Sequence, residues 1–124
     1  MAGGALGSLA RYMLSGWVQA KTGQLFPLGT LTVNLTGCFF IGLLWGFFEE
    51  SDVVPHFRVF IFIGLLGGFT TFSSFGLESV NLLREGNWSA ALLNLLANNA
   101  GGVLLTIAGL ACARYLTLWF KQGL

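Results

Sequence analysis

The sequence predicts an all-α membrane protein with four transmembrane helices per subunit, the third of them broken. Three observations carry that prediction. The first is composition: of 124 residues, 55% are hydrophobic and only 9% are charged, against about 25% charged in an average soluble domain. Five acids and six bases cannot cover the surface that so small a domain leaves in water. A soluble monomer is excluded, and so is a disordered chain. The second is the spacing of charge: residues 22–48, 59–77 and 86–113 contain no Asp, Glu, Lys or Arg. The third is the stretch from Gly64 to Gly76, where glycines and four hydroxyl residues interrupt an apolar run.

Residues 2–18 form the first candidate span, interrupted only by Arg11. At about 1.5 Å per residue this helix is roughly 25 Å long, slightly short for a hydrocarbon core of about 30 Å. A cleaved signal peptide fits badly, because no basic residue precedes the apolar run and Arg11 divides it. The other spans are expected at roughly 27–48, 58–82 and 88–115, each holding the ~20 apolar residues a crossing needs. Three short polar connectors separate them: Lys21-Thr22-Gly23-Gln24 with Pro27, Glu49-Glu50-Ser51-Asp52 with Pro55, and Arg84-Glu85-Gly86-Asn87. Helices joined this tightly pack antiparallel. With no linker and no internal repeat, residues 1–124 read as a single integral-membrane domain.

Four spans place both termini and the 49–58 connector on one side of the membrane. That side carries Arg58, Arg114 and Lys121, and the other carries Lys21 and Arg84. Orientation follows Lys and Arg excess in short cytoplasmic loops, and three against two is almost no bias. Dual topology is the expectation: copies insert both ways up and pair antiparallel. Small residues four apart, Gly3/Gly7 and Gly42/Gly46, allow close helix approach. Four short helices cannot enclose a water-filled path alone, so a symmetric homodimer is expected.

Polar groups at membrane depth mark function. Arg11 lies near the middle of the first span, where an arginine costs about 2.5–3.5 kcal/mol on insertion scales. It is expected to face the bundle interior or a vestibule, either as an anion attractor or as a donor pinning neighbouring carbonyls. On the second helix Thr30 and Asn34 are four apart and share a face, with Gly37 leaving room one turn on. An asparagine amide offers two donors without charge; the other reading is an interhelical hydrogen bond, worth only about 0.6 kcal/mol on average.

The stretch Gly64–Gly76 predicts the break. Each glycine weakens a helix by about 1 kcal/mol relative to alanine, and Thr70, Thr71, Ser73 and Ser74 compete for backbone partners. Free carbonyls are expected around Gly67–Thr70, and they would suit a small hard cation. Exposed backbone at this depth occurs only where it is buried in protein or lines a cavity. Phe69, Phe72 and Phe75 recur every three residues and would line one face after the break. Among twelve phenylalanines, a plain packing stripe is the other reading. On the last helix Asn94, Asn98 and Gly102 form a polar stripe, while Asn99 is expected to point elsewhere. Glu78 is the only acid adjoining the third span and is expected at the membrane interface.

No span carries a Ser–His–Asp set, a Cys–His pair or two convergent carboxylates, and the single His56 sits in a connector. The chain is therefore not read as an enzyme. A net charge of +1 gives no reason to invoke nucleic acid. Transport is left, and amide, hydroxyl and arginine donors suit an anion. A phenylalanine presents a positive edge, and an uncharged lining lets a bound ion leave as well as enter.

These residues resemble a known family. Gly3-Gly4-Ala5-Leu6-Gly7-Ser8-Leu9-Ala10-Arg11-Tyr12 resembles the GGxxGxxxRY opening of the Fluc (CrcB) fluoride channels. Gly29-Thr30-Leu31-Thr32-Val33-Asn34-Leu35-Thr36-Gly37 resembles their GTLxVNxxG segment. Gly67-Gly68-Phe69-Thr70-Thr71-Phe72-Ser73-Ser74-Phe75-Gly76-Leu77-Glu78 resembles their GGxTTFSTFSxE signature. The resemblance covers essentially the whole chain, in order.

It implies a multi-pass protein of the inner (plasma) membrane, an antiparallel dual-topology homodimer with two fluoride pathways. Fluoride would leave passively down its electrochemical gradient, lowering its cytoplasmic level. By position, the resemblance makes Asn34 the pore asparagine, Phe72 and Phe75 the paired pore phenylalanines, Thr30 part of the polar track and Arg11 the vestibule arginine. Ser74, and Asn98 on the last helix, join the fluoride pathway by the same carry-over. A structural sodium ion at the dimer interface is implied at the backbone carbonyls of Gly67 and Thr70. Ser74 departs from a usual threonine and Gly76 from a usual serine; Asn94 and Asn98 stand where many relatives have Tyr and Ser. The rival is a small proton-coupled dual-topology exporter, which needs an acid buried in the first helix, where this chain has Arg11.

Overall fold

A computed structural model describes residues 1–23, 26–49 and 51–123. Gln24 of the first connector and Glu50 of the second lie outside the described residues. Helix α1 spans Ala2–Thr22 and α2 spans Leu28–Glu49. The third rod is built in pieces: α3 (Pro55–Arg58), a π-helical stretch π1 (Val59–Leu66) and α4 (Gly67–Phe69), then α5 (Phe72–Arg84). The fourth contains α6 (Trp88–Leu96), a π-turn π2 (Ala97–Gly101) and α7 (Gly102–Gln122). Among the described residues there is no β-strand.

Leu28–Glu49, Pro55–Arg84 and Trp88–Gln122 are each long and apolar enough to cross a membrane. Helix α1, carrying Arg11 and Lys21, is less apolar, but its 21 residues would reach about 32 Å. It ends at Gly23, in the left-handed region at φ 57°, where glycine carries no steric penalty. Gln19 clips this end to the next helix: its Nε2 donates to Phe26 O at 3.3 Å, and its Oε1 accepts Gly29 N–H at 3.1 Å. Gly86, at φ 79°, makes the tight turn before Asn87, whose Oδ1 caps α6 by accepting Ala90 N–H at 3.2 Å.

The small-residue pairs do a different job from the one expected. Gly3 and Gly7 lie against the third rod of the same subunit. A Cβ on Gly3 would stand 2.7 Å from Phe60 O, and one on Gly7 would run into Leu65 O. From the other side, a Cβ on Gly68 would meet Gly4 O at 2.8 Å. Gly42 and Gly46 likewise meet α7, where a Cβ on Gly42 would strike Thr106 O and one on Gly46 would sit 2.6 Å from Ala113 Cβ. Both pairs are consumed inside the subunit. Glycine stripes signal that helices approach closely, but not whether the approaching helix belongs to the same chain.

The third rod breaks at Thr70 and Thr71, both extended (φ −83°, ψ 158° and φ −147°, ψ 115°). Helix therefore continues through Gly67–Phe69, slightly past the expected start of the break. The hydroxyl residues explain the position. Thr71 Oγ1 accepts Ser74 N–H at 3.3 Å and so caps the new helix.

Candidate functional site

The break frees backbone groups, and Asn34 on α2 takes them up. In a continuous helix Thr71 N–H would donate to Gly67 O. Instead it donates to Asn34 Oδ1 at 2.8 Å, while Asn34 Nδ2 donates to Thr71 O at 3.0 Å. The side-chain amide thus pairs with both groups of Thr71. Ser74 N–H, turned to the Thr71 hydroxyl, leaves Thr70 O to the Arg11 guanidinium, whose Nη1 lies at a long 3.5 Å. Arg11 is partly buried and reaches the break from α1, a contact of the kind the pinning reading expects. Gly37 clears the space beneath: a Cβ there would collide with Thr70 Cγ2.

A second amide joins from the last rod. Asn34 Nδ2 also donates to Asn98 Oδ1 at 3.0 Å. Asn98 Nδ2 donates to Asn94 O and to Asn94 Oδ1, both at 2.9 Å. Asn94 Nδ2 donates to Ser79 Oγ at 2.9 Å, and Ser79 Oγ donates to Phe75 O at 2.8 Å. The stripe read from sequence is a hydrogen-bonded chain between rods.

The Asn34 and Asn98 end of this chain borders a cavity of about 280 Å³. Its wall includes Asn34, Thr71, Phe72, Phe75, Asn98 and Asn99, and no residue described along it is charged. The phenylalanine rings sit 5.4 Å apart between centroids, tilted by 55°. Phe75 is 4% exposed and fixed in the core, whereas Phe72 is 80% exposed at the cavity's edge. Helix α5 begins here, so its positive end faces the same space. Gly67 and Thr70 also line it.

The remaining candidates lie elsewhere. Thr30 donates to Glu78 Oε1 at 2.7 Å, and both line a second cavity of about 350 Å³ with Ser15 and Gln19. Glu78 Oε2 is buried without a hydrogen-bond partner among the described residues. Ser74 is engaged by Thr71 Oγ1, which donates to its hydroxyl at 3.1 Å. Asn99, expected to point away, lines the same cavity as Asn98 because both fall in π2, where the regular helical turn is widened. Thr71 was read from sequence only as one of four hydroxyl residues competing for backbone partners, not as a site residue. Its signal was available: a threonine after glycines and three residues before Ser74 is a capping position.

The chain is similar to known proteins along most of its length. A family model described as "CrcB-like protein, Camphor Resistance (CrcB)" matches residues 1–110. A protein of Magnetococcus marinus, named "Fluoride-specific ion channel FluC", is 48% identical over 113 residues, covering 90% of this chain and 92% of its own. One of the same name from Desulforapulum autotrophicum is 46% identical over 112 residues, covering 90% of each. Another from Parabacteroides distasonis is 41% identical over 119 residues, covering 96% of this chain and 93% of its own.

Proposed function

Because the chain belongs to the CrcB family, we propose that it is a fluoride-specific ion channel, the activity for which its relatives are named. It is a multi-pass membrane protein and not an enzyme. Fluoride leaves the cell passively along a lining of neutral donors and aromatic edges. The observation that carries this reading is the uncharged cavity at the break, where Asn34, Asn98 and the Phe72–Phe75 pair meet at the start of α5. A half-helix N-terminus at membrane depth favours an anion. A cationic side chain in place of Asn34 would hold a compact anion too long.

Each side chain has a physical task. Asn34 offers an N–H that now rests on Asn98 Oδ1 and that an anion takes over. Phe72, exposed at the edge, turns a positive ring rim toward the path, and Phe75 backs it from the core. Arg11 holds the broken backbone from outside the cavity and keeps its charge off the path. Thr30 and Glu78 border the second cavity, which we assign to the polar track, and Ser74 keeps its hydroxyl near the start of α5.

The working unit is an antiparallel homodimer of copies inserted both ways up, with α1 as the fourth crossing. The cavity opens on the face bearing Phe72, Gly67 and Asn99, all exposed in the single subunit. Amides and unpaired backbone do not face lipid tails, so a second copy covers them. A structural sodium ion would be held by the carbonyls of Gly67 and Thr70 from both copies: each carbonyl has lost its helical donor, Thr70 O keeps a second lone pair beside its long Arg11 contact, and oxygen donors suit a hard cation. The ion would tie the two breaks together.

Purified protein in liposomes should release fluoride when the membrane potential is dissipated, with no proton gradient and with chloride retained. Equal chloride efflux, or a requirement for a proton gradient, would favour the exporter class instead. Phe72→Ile should lower fluoride flux about tenfold or more while leaving the subunit folded, since the ring touches little of its own subunit, and isoleucine keeps an apolar surface for the second copy; Phe75→Ile should lower flux too but also loosen the core. Unchanged flux in both would make the rings packing alone. Gly67→Val tests the cation site. A Cβ there meets only Phe62 O at an ordinary 3.6 Å, so the subunit should tolerate it while dimer and flux are lost. A normal dimer with normal flux would remove that site.

A further inference from the structure

Asn94 is 1% exposed and lines neither cavity. A buried carboxamide is costly unless its groups are paired, and an apolar side chain of that volume would fill the space. The hydrogen bonds around it have a direction. Phe75 O can only accept, so the Ser79 hydroxyl proton is committed to it. Ser79 Oγ must then accept, which turns Asn94 Nδ2 toward it and Asn94 Oδ1 toward Asn98. Asn98 therefore presents both N–H groups to Asn94 and its Oδ1 to Asn34. At the far end Thr71 N–H can only donate, so Asn34 Oδ1 is held there and its Nδ2 must face Asn98. Backbone groups at the two ends fix the polarity of every link between.

The geometry points to Asn94 and Ser79 as positioning residues of the channel. They hold the Asn98 carboxamide with oxygen outward, so that Asn34 keeps a donor N–H aimed at the path against an acceptor that an anion can replace. The inference rests on the channel reading above. Without Asn94 Oδ1, the Asn98 amide can turn over and set N–H against N–H, and Asn34 is pushed out of register. Neither Asn94 nor Ser79 touches the ion.

Fluoride efflux from proteoliposomes tests this as a double-mutant cycle. Asn94→Leu should lower flux about tenfold, the loss of roughly one well-placed hydrogen bond. In an Asn98→Ser background, where the side chain no longer reaches from Asn94 to Asn34, the same substitution should change flux less than about twofold. Ser79→Ala should follow Asn94→Leu, and Ser79→Thr, which keeps the hydroxyl, should restore flux. A purely structural role would give equal losses in both backgrounds and no rescue by threonine. If Asn94→Leu does not assemble, the Ser79 pair decides: a Ser79→Ala channel with wild-type flux overturns the inference. Wild-type vesicles that pass no fluoride would remove the channel reading and this inference with it. Wild-type flux with additive losses would remove the inference alone.

Discussion

Asn34→Leu is expected to abolish fluoride efflux, a fall of at least a hundredfold in proteoliposomes. Two effects combine. The substitution removes the N–H aimed at the path, and it strips both partners from Thr71, which is 8% exposed. A buried backbone group left unpaired costs about 1–3 kcal/mol, so the break itself should loosen. Asn34→Asp separates the two effects. It keeps an acceptor for Thr71 N–H, so assembly should stay closer to that of the wild type. It loses the donors and places negative charge where an anion must pass, so flux should be equally silent. Normal efflux in both variants would mean that the amide only mends the backbone.

The second large effect falls far from the path. Gly109→Val should eliminate folded protein. A Cβ at Gly109 would run into Phe39 O and come within 2.7 Å of Leu43 N, both backbone atoms of α2. Overpacking a core with side-chain neighbours costs about 1–3 kcal/mol. Backbone neighbours cannot rotate aside, so the crossing of α2 and α7 must open along its length. The facing substitution Gly42→Val, against Thr106 O, should fail in the same way. Size-exclusion profiles of detergent extracts would show aggregate or nothing. A monodisperse peak with wild-type yield would contradict the tight crossing.

These two sites differ in how legible they were. The break could be read from Gly64–Gly76, because glycines and hydroxyl residues weaken a helix wherever it lies. Asn34 could be read too, since a polar amide inside an apolar span needs a partner. What Asn34 partners could not be read: the Thr71 peptide lies 37 residues away, and spacing does not give register between rods. The glycine pairs show the same limit. Their spacing announced close approach, yet only tertiary packing assigns Gly3/Gly7 to the third rod and Gly42/Gly46 to α7. Asn99 was misjudged because a regular helical step was assumed through a π-turn. Thr30 and Glu78 were noticed separately; their 2.7 Å hydrogen bond joins helices 48 residues apart in sequence.

The Arg11 contact clarifies why one charge is kept inside so apolar a chain. Its guanidinium meets a carbonyl that the break has released, so two groups that would each be costly in lipid satisfy one another. The cavity at the break then borders on neutral groups only, which is the arrangement the proposed passive pore requires there.

The most direct test is the reversal potential of the purified protein in a planar bilayer, with fluoride in a tenfold gradient and chloride and pH equal on both sides. A passive fluoride-specific pore predicts reversal displaced from zero by about 59 mV, the value for one charge per tenfold ratio, and unmoved when a pH gradient is added. Reversal at zero, or a displacement that follows the pH gradient, would contradict it.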